Sequence, residues 1–152
     1  MSQIVSDPPH LFVYGTLRRG ARSAWSRFLP PVSTFVGMGR TRGVLFQLGG
    51  YPGMTPGSGE EAWVRGEVCL LHNPRSVLPV LDDYEGCGTR DPPPHEYRRQ
   101  VVDVLLDDGR TVQAWAYIYL LDTADKTRIV SGDYLGPARP SSKGYRGGRR
   151  LA

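Results

Sequence analysis

The stretch that constrains this chain most is residues 96–120, "EYRRQVVDVLL" and "RTVQAWAYIYL" joined by "DDG" at 107–109. Two runs rich in β-branched and aromatic residues flank an Asp-Gly pair, and glycine supplies the positive φ that a tight hairpin turn demands. A long β-hairpin is the expectation, and the rest of the chain must build a sheet around it. The remaining punctuation agrees, with 19 glycines and 13 prolines falling mostly between short β-rich runs. "HLFVYG" reads as a first strand, "STFVGMG" and "RGVLFQLGG" as two more, and "YPGMTPGSG" as a loop. "AWVRGEVCLL" (62–71) alternates Trp63, Arg65 and Glu67 against Val64, Gly66 and Val68, the pattern of a half-buried strand.

Helical signals are short. "SAWSRFL" (23–29) places Trp25, Phe28 and Leu29 on one face and stops at Pro30 and Pro31. In "NPRSVLPVLDDYEG" (73–86), Val77, Leu78 and Leu81 have helical spacing. Pro79 would break a helix begun at Asn73. The expected N-cap is therefore Ser76, which puts Pro79 in the first turn, where its missing N–H costs nothing. The helix should end near Tyr84–Glu85, with Gly86 as its stop. This order of elements is not an alternating βαβ pattern. It predicts an α+β fold, a single compact domain over residues 1–138 with a strongly curved mixed β-sheet or barrel and a few short peripheral helices.

Composition narrows the function. The net charge of +4 suggests nucleic acid until its location is examined. Residues 139–152, "RPSSKGYRGGRRLA", hold five cations and no acid, leaving 14 cations against 15 anions in the body. The basicity belongs to a tail with little to bury, read as disordered and solubilising, and no nucleic-acid partner is expected. No run approaches the ~20 apolar residues of a membrane span. "MSQIVSDPPH" lacks the cationic head and apolar core of a secretory signal, which favours a cytoplasmic location. Cys69 and Cys87 are too few for a disulfide framework or a tetrahedral cysteine site, and His10, His72 and His95 are scattered, so no metal is expected. Oligomeric state is left open.

Two stretches can carry chemistry. In "LFVYGTLRRG" (11–20) a strand runs into a glycine turn, where backbone N–H groups lose their ladder partners and Gly15 permits close approach of a ligand. Such a nest suits a carboxylate or an oxyanion, although a strand-end turn of this kind is also common without any function. Arg18 and Arg19 either add charge there or face water. The turn lacks the Gly-Lys-Ser/Thr ending of a phosphate loop. In "LDDYEGC" (81–87), Asp82, Asp83 and Glu85 crowd a helix C-terminus, where the dipole disfavours anions. They are either a solvated acidic cluster or, if Glu85 points inward, a carboxyl whose desolvation makes it a usable acid and base. Asp82 is a candidate structural acceptor of backbone N–H groups. Cys87 has no histidine associated with it and reads as loop packing.

Taken in order, "FVYGTLRRG", "GEVCLL", "LDDYEG", "YRRQVVDV", "AWAYIY" and "SGDY" resemble the successive signatures of the γ-glutamylcyclotransferase-like family, nearest in appearance to its γ-glutamylamine cyclotransferase branch. The likeness runs from about Leu11 to Tyr134. It implies a compact barrel-like fold and a cofactor-free reaction in which the α-amino group of a γ-glutamyl amide attacks its own γ-carbonyl, closing 5-oxoproline and releasing an amine. It also implies that Glu85 is the catalytic acid/base, that Tyr14, Gly15, Thr16 and Leu17 form the loop lining the glutamyl pocket, and that Tyr97 and Tyr117 are pocket residues. Each tyrosine has an alternative reading as barrel packing. The expected partner is a small γ-glutamyl substrate. Two other readings stand beside this one: removal of a γ-glutamyl protecting group in natural-product biosynthesis, and a binding module for small anions that has lost turnover. "GCGTRDPPPHE" (86–96) is longer and richer in proline than the family pattern, and is expected to form a stiff, extended wall of the site.

Overall fold

The structure, a computed structural model, describes residues 7–21, 23–57 and 62–136. The basic tail at 139–152 and the side chain of Trp25 lie outside the described residues. Among the described residues, seven strands and one α-helix appear in the order β1 (His10–Val13), β2 (Ser33–Gln47), β3 (Pro52–Pro56), β4 (Trp63–Leu71), α1 (Pro74–Glu85), β5 (Tyr97–Leu106), β6 (Thr111–Tyr119) and β7 (Thr127–Arg128). Two single turns of 3-10 helix, Ala24–Arg27 and Pro30–Val32, replace the short helix expected at 23–29.

The strands close on themselves. β1 pairs with β4, β4 with β2, β2 with β3, β3 with β6, and β6 returns to β1. The β1–β6 and β3–β6 contacts are parallel and the others in this ring are antiparallel. A mixed barrel of five strands results, with β5 forming the expected hairpin with β6 and bridging to β2 on its far side. The hairpin turn is closed by the Gly109 N–H donating to the Leu106 carbonyl at 2.9 Å, and Gly109 has φ +96°, the conformation its glycine makes accessible. Leu11, Leu45, Val64, Val68, Val104 and Ala114 fill the core at 1% exposure or less. Each such aliphatic side chain larger than alanine contributes ~1.5–3 kcal/mol on full burial.

Three local expectations are corrected. The two strands predicted around residues 33–50 are one, because pairing with β4 runs unbroken from Gly37 to Arg42 and β3 takes over from Gly43 to Gln47; a bulge between Phe35 and Gly37 lies within the first of the two predicted runs. The predicted loop at residues 51–59 contains β3. "PGMTP" has little intrinsic strand preference, but two neighbours hold it, β2 in antiparallel register from Pro52 to Pro56 and β6 through Met54 and Ile118. The helix starts at Pro74 rather than after Ser76, with Asn73 at the N-cap. Pro74 occupies the first position, where no N–H is needed, and Pro79 is inside the helix on its exposed side. There the Arg75 carbonyl that loses its donor can turn to water, since Arg75 is also exposed. The predicted stop holds, with Gly86 at φ +78° and its N–H donating to the Asp83 carbonyl.

Candidate functional site

The buried face of α1 is formed by Val77, Leu78, Leu81 and Glu85. These positions trace one stripe of a 3.6-residue period, so Glu85 stands where a core leucine would otherwise be. It is 0% exposed. The neighbouring acids behave differently. Asp83 is exposed, and half-buried Asp82 accepts hydrogen bonds from side chains rather than from the backbone as expected. Arg99 of β5 donates to it through Nε at 2.8 Å and through a terminal nitrogen at 3.0 Å, and the Tyr117 hydroxyl of β6 donates at 2.7 Å. Charge-assisted and bidentate, these bonds fix the end of the helix that presents Glu85.

Tyr14, Tyr97 and Tyr117 converge on the same region, each at 1% exposure or less. The Tyr14 hydroxyl donates to the Tyr117 carbonyl at 2.6 Å and accepts from the Met54 N–H at 3.1 Å. The Tyr97 hydroxyl donates to the Pro52 carbonyl at 2.7 Å. Burial, and then the charge of Glu85, pushes Tyr14 well above the usual phenol range. Tyr97 is raised by burial, by Tyr14 and by Glu85, and Tyr117 by burial, by Asp82 and by Glu85. All three phenols are therefore neutral, with their hydrogens directed into the protein. What they can offer a ligand is oxygen lone pairs, the acceptors an ammonium requires.

The glycine turn follows β1. The Arg18 N–H donates to the Gly15 carbonyl at 3.1 Å, closing a β-turn over Gly15, Thr16 and Leu17, all buried. The described glycines with positive φ lie elsewhere, at Gly49, Gly86, Gly109 and Gly132. The next N–H, that of Arg19, donates to Glu67 at 3.1 Å. The two arginines separate, with the Arg19 side chain 55% exposed and Arg18 at 5%. Of the two alternatives for these arginines, facing water does not hold for Arg18, because Asp133 and Glu67 draw it inward, at 2.8 Å and 3.6 Å. The partners of Arg18 and of Asp82 are far away in the chain. The one signal available for Asp82 was its place a helical turn ahead of Glu85.

The segment between α1 and β5 holds itself together through the Gly88 N–H donating to Asp91 at 2.9 Å and a His95 ring nitrogen bonding the Asp91 carbonyl at 3.0 Å. Its Pro93–Pro94 peptide is cis, where an extended run was expected. Cys87 and His95 from this segment line a cavity of about 230 Å³ with Asp82, Arg98, Arg99 and Leu120. Burial, with the charges of Asp82 and Glu85, pushes the Cys87 thiol up to about 12, which leaves it protonated and a poor nucleophile. Among the described residues no group of three or more His, Cys, Asp or Glu side chains is placed to hold a metal ion, and no helix is long and apolar enough to cross a membrane.

The model of one protein family, gamma-glutamyl cyclotransferase, AIG2-like, matches residues 11–136. The chain belongs to that family. It is 32% identical over 126 residues to the gamma-glutamylcyclotransferase family protein YtfP of Escherichia coli K12, covering 82% of this chain and 95% of YtfP. Among solved structures it superimposes on a mouse AIG2-like protein with a TM-score of 0.62 at 28% identity, covering 77% of this chain and 80% of the other. YkqA from Bacillus subtilis gives a TM-score of 0.61 at 28% identity, with 83% of this chain matching 39% of that longer one. The barrel described above is the fold of these relatives. All six sequence signatures fall within the matched residues.

Proposed function

We propose that the protein is a γ-glutamyl cyclotransferase that converts a γ-glutamyl amine or amide into 5-oxoproline and a free amine. The observation that carries this reading is the environment of Glu85, a fully buried carboxyl on an apolar helix face, electrostatically coupled to three neutral phenols. A group that burial disfavours, gathered with acceptors and set beside a candidate carboxylate cradle, suits a small zwitterion.

The γ-glutamyl group carries an α-ammonium and an α-carboxylate. In this reading the ammonium meets the acceptor-rich side, Glu85 and the phenol oxygens of Tyr97 and Tyr117, and the carboxylate meets backbone N–H groups of Gly15–Leu17 beside Tyr14. Glu85 takes a proton from the ammonium, freeing the nitrogen lone pair. That nitrogen attacks the γ-carbonyl carbon, a C–N bond forms, and the carbonyl electron pair moves to oxygen. When the tetrahedral centre collapses, the original C–N bond breaks, and the leaving nitrogen takes the proton from Glu85. The second proton of the new ring nitrogen then passes to the carboxylate, leaving the lactam N–H, and the released amine takes it up as an ammonium, which restores the Glu85 carboxylate. Nucleophile and electrophile belong to one molecule, so holding it in the attacking conformation is the larger part of the work, and no protein nucleophile or cofactor enters the balance.

The test is incubation of the purified protein with a panel of γ-glutamyl amides, including ε-(γ-glutamyl)-lysine, scored for 5-oxoproline by mass spectrometry. Release from at least one, abolished in Glu85→Gln, is expected. Binding of the panel without any 5-oxoproline would overturn the reading in favour of a small-anion binding module.

A further inference from the structure

Charged residues from three of the sequence signatures meet in one place. Arg18 of "YGTLRRG" lies between Asp133 of "SGDY", at 2.8 Å, and Glu67 of "GEVCLL", whose carboxylate is 3.6 Å from Arg18 Nε. Glu67 also accepts the backbone N–H of Arg19, the residue that leaves the turn. Asp133 is itself held by the N–H groups of Leu135 and Gly136, at 3.1 and 2.9 Å. The segment carrying Asp133 is tied to β4, because the Arg65 N–H donates to the Gly132 carbonyl at 2.8 Å and a side chain at Gly132 would collide with the Trp63 carbonyl. Arg18 and Glu67 are 5% and 6% exposed, so water screens this arrangement little.

A buried guanidinium between two carboxylates is a costly way to stabilise a fold, since apolar residues of similar volume often do as well. Its advantage here is geometric. The turn at residues 15–17 has β1 on one side and Arg18 on the other, and the Arg18 backbone N–H closes that turn. We infer that Arg18 is a positioning residue for this turn: clamped between Asp133 and Glu67, it holds the backbone N–H groups of residues 15–17 at the spacing an α-carboxylate requires. The inference rests on the reading of the turn as the glutamyl cradle, and it gives residues 131–136, which follow the last strand and lie outside the barrel, a share in substrate binding without contact to substrate.

The experiment compares Arg18→Met, Arg18→Lys, Asp133→Asn and the core variant Val104→Ala with wild type, by thermal melts, steady-state 5-oxoproline kinetics, and titration with ε-(γ-glutamyl)-lysine in a Glu85→Gln background. Arg18→Met and Asp133→Asn should raise KM and the dissociation constant about tenfold or more while kcat stays within a few-fold, and Arg18→Lys should recover part of the lost affinity. Val104→Ala should lower the melting temperature through the cavity it leaves, yet keep KM unchanged. If Arg18→Met does not fold, Asp133→Asn, which retains the shape and the Glu67 contact, decides the matter. Variants that melt early with unchanged KM would overturn the positioning role and leave the reaction standing. A wild type that neither binds nor cyclises any γ-glutamyl amide would instead overturn the reading beneath it.

Discussion

Tyr117 donates its hydroxyl hydrogen to Asp82 at 2.7 Å, one helical turn ahead of Glu85 on the same helix. Arg99 grips both oxygens of that carboxylate and shares Oδ1 with Tyr117, so α1, β5 and β6 are joined where the helix ends. Asp82→Ala should cost about 2 kcal/mol of stability, in the range for a hydrogen bond to a charged group. It should also lower kcat/KM at least tenfold, because a small displacement of Glu85 misaligns it. Tyr117→Phe removes one of the three bonds to that carboxylate and should cost about 1.5 kcal/mol, the low end of the same range. Thermal melts paired with 5-oxoproline kinetics check both, and normal kinetics in Asp82→Ala would dissociate this network from the site.

Glu85→Gln keeps the shape of the side chain and removes its proton chemistry. Folding should survive, and turnover should fall ~10²–10⁴-fold. A melting curve and a progress curve suffice, and turnover within a few-fold of wild type would remove Glu85 from the mechanism.

Cys87 makes a separate prediction. With the thiol pushed up to about 12, the thiolate predominates only above that pH, and at neutral pH the group is almost entirely an uncharged thiol. Iodoacetamide should modify it far more slowly than free cysteine, and Cys87→Ala should keep activity within a few-fold. Mass spectrometry of the alkylated protein and kinetics of the variant check this, and inactivation by stoichiometric alkylation would contradict it.

Gly15→Val probes the turn. Gly15 is buried within a closed β-turn, and a β-branched side chain would occupy the space where a ligand must approach the backbone. Binding of the glutamyl group should weaken far more than the fold, by the loss of charge-assisted bonds worth ~1.5–3 kcal/mol each. Titration with substrate in the Glu85→Gln background measures it, and a folded, fully active variant would show that the turn is not the cradle.

The hairpin, β1, β4 and the Gly86 helix stop were legible because each is decided by neighbours in the chain. An Asp-Gly turn, a period-2 alternation and a glycine after an apolar stripe act locally. β3 was not legible, since Pro52 to Pro56 become a strand through β2 and β6 rather than through propensity. The same holds at the site. The burial of Glu85 was legible as one of two alternatives, because it extends the stripe of Val77, Leu78 and Leu81 and its motif resembles a known one. The inward turn of Arg18 could not be found, because the carboxylates that draw it in are at positions 67 and 133. Pro79 misled in the opposite sense: a proline inside a helix is tolerated where the carbonyl it leaves without a donor faces water.

The parallel closure of the barrel has a consequence for how the protein comes into being. Tyr14 and the Tyr117 carbonyl that accepts its hydrogen bond are separated by 103 positions, and β1 gains its β6 neighbour only when nearly the whole domain has been synthesised. Pairing across such separations is the slow kind, typical of folds that take milliseconds to seconds. A chain emerging from the ribosome carries the glycine turn first and the helix with Glu85 next, but β6, which brings the tyrosines together and locks Asp82, arrives late. Until Tyr119 has emerged, β1 and β3 each lack one neighbour, and the parts of the candidate site exist without being assembled.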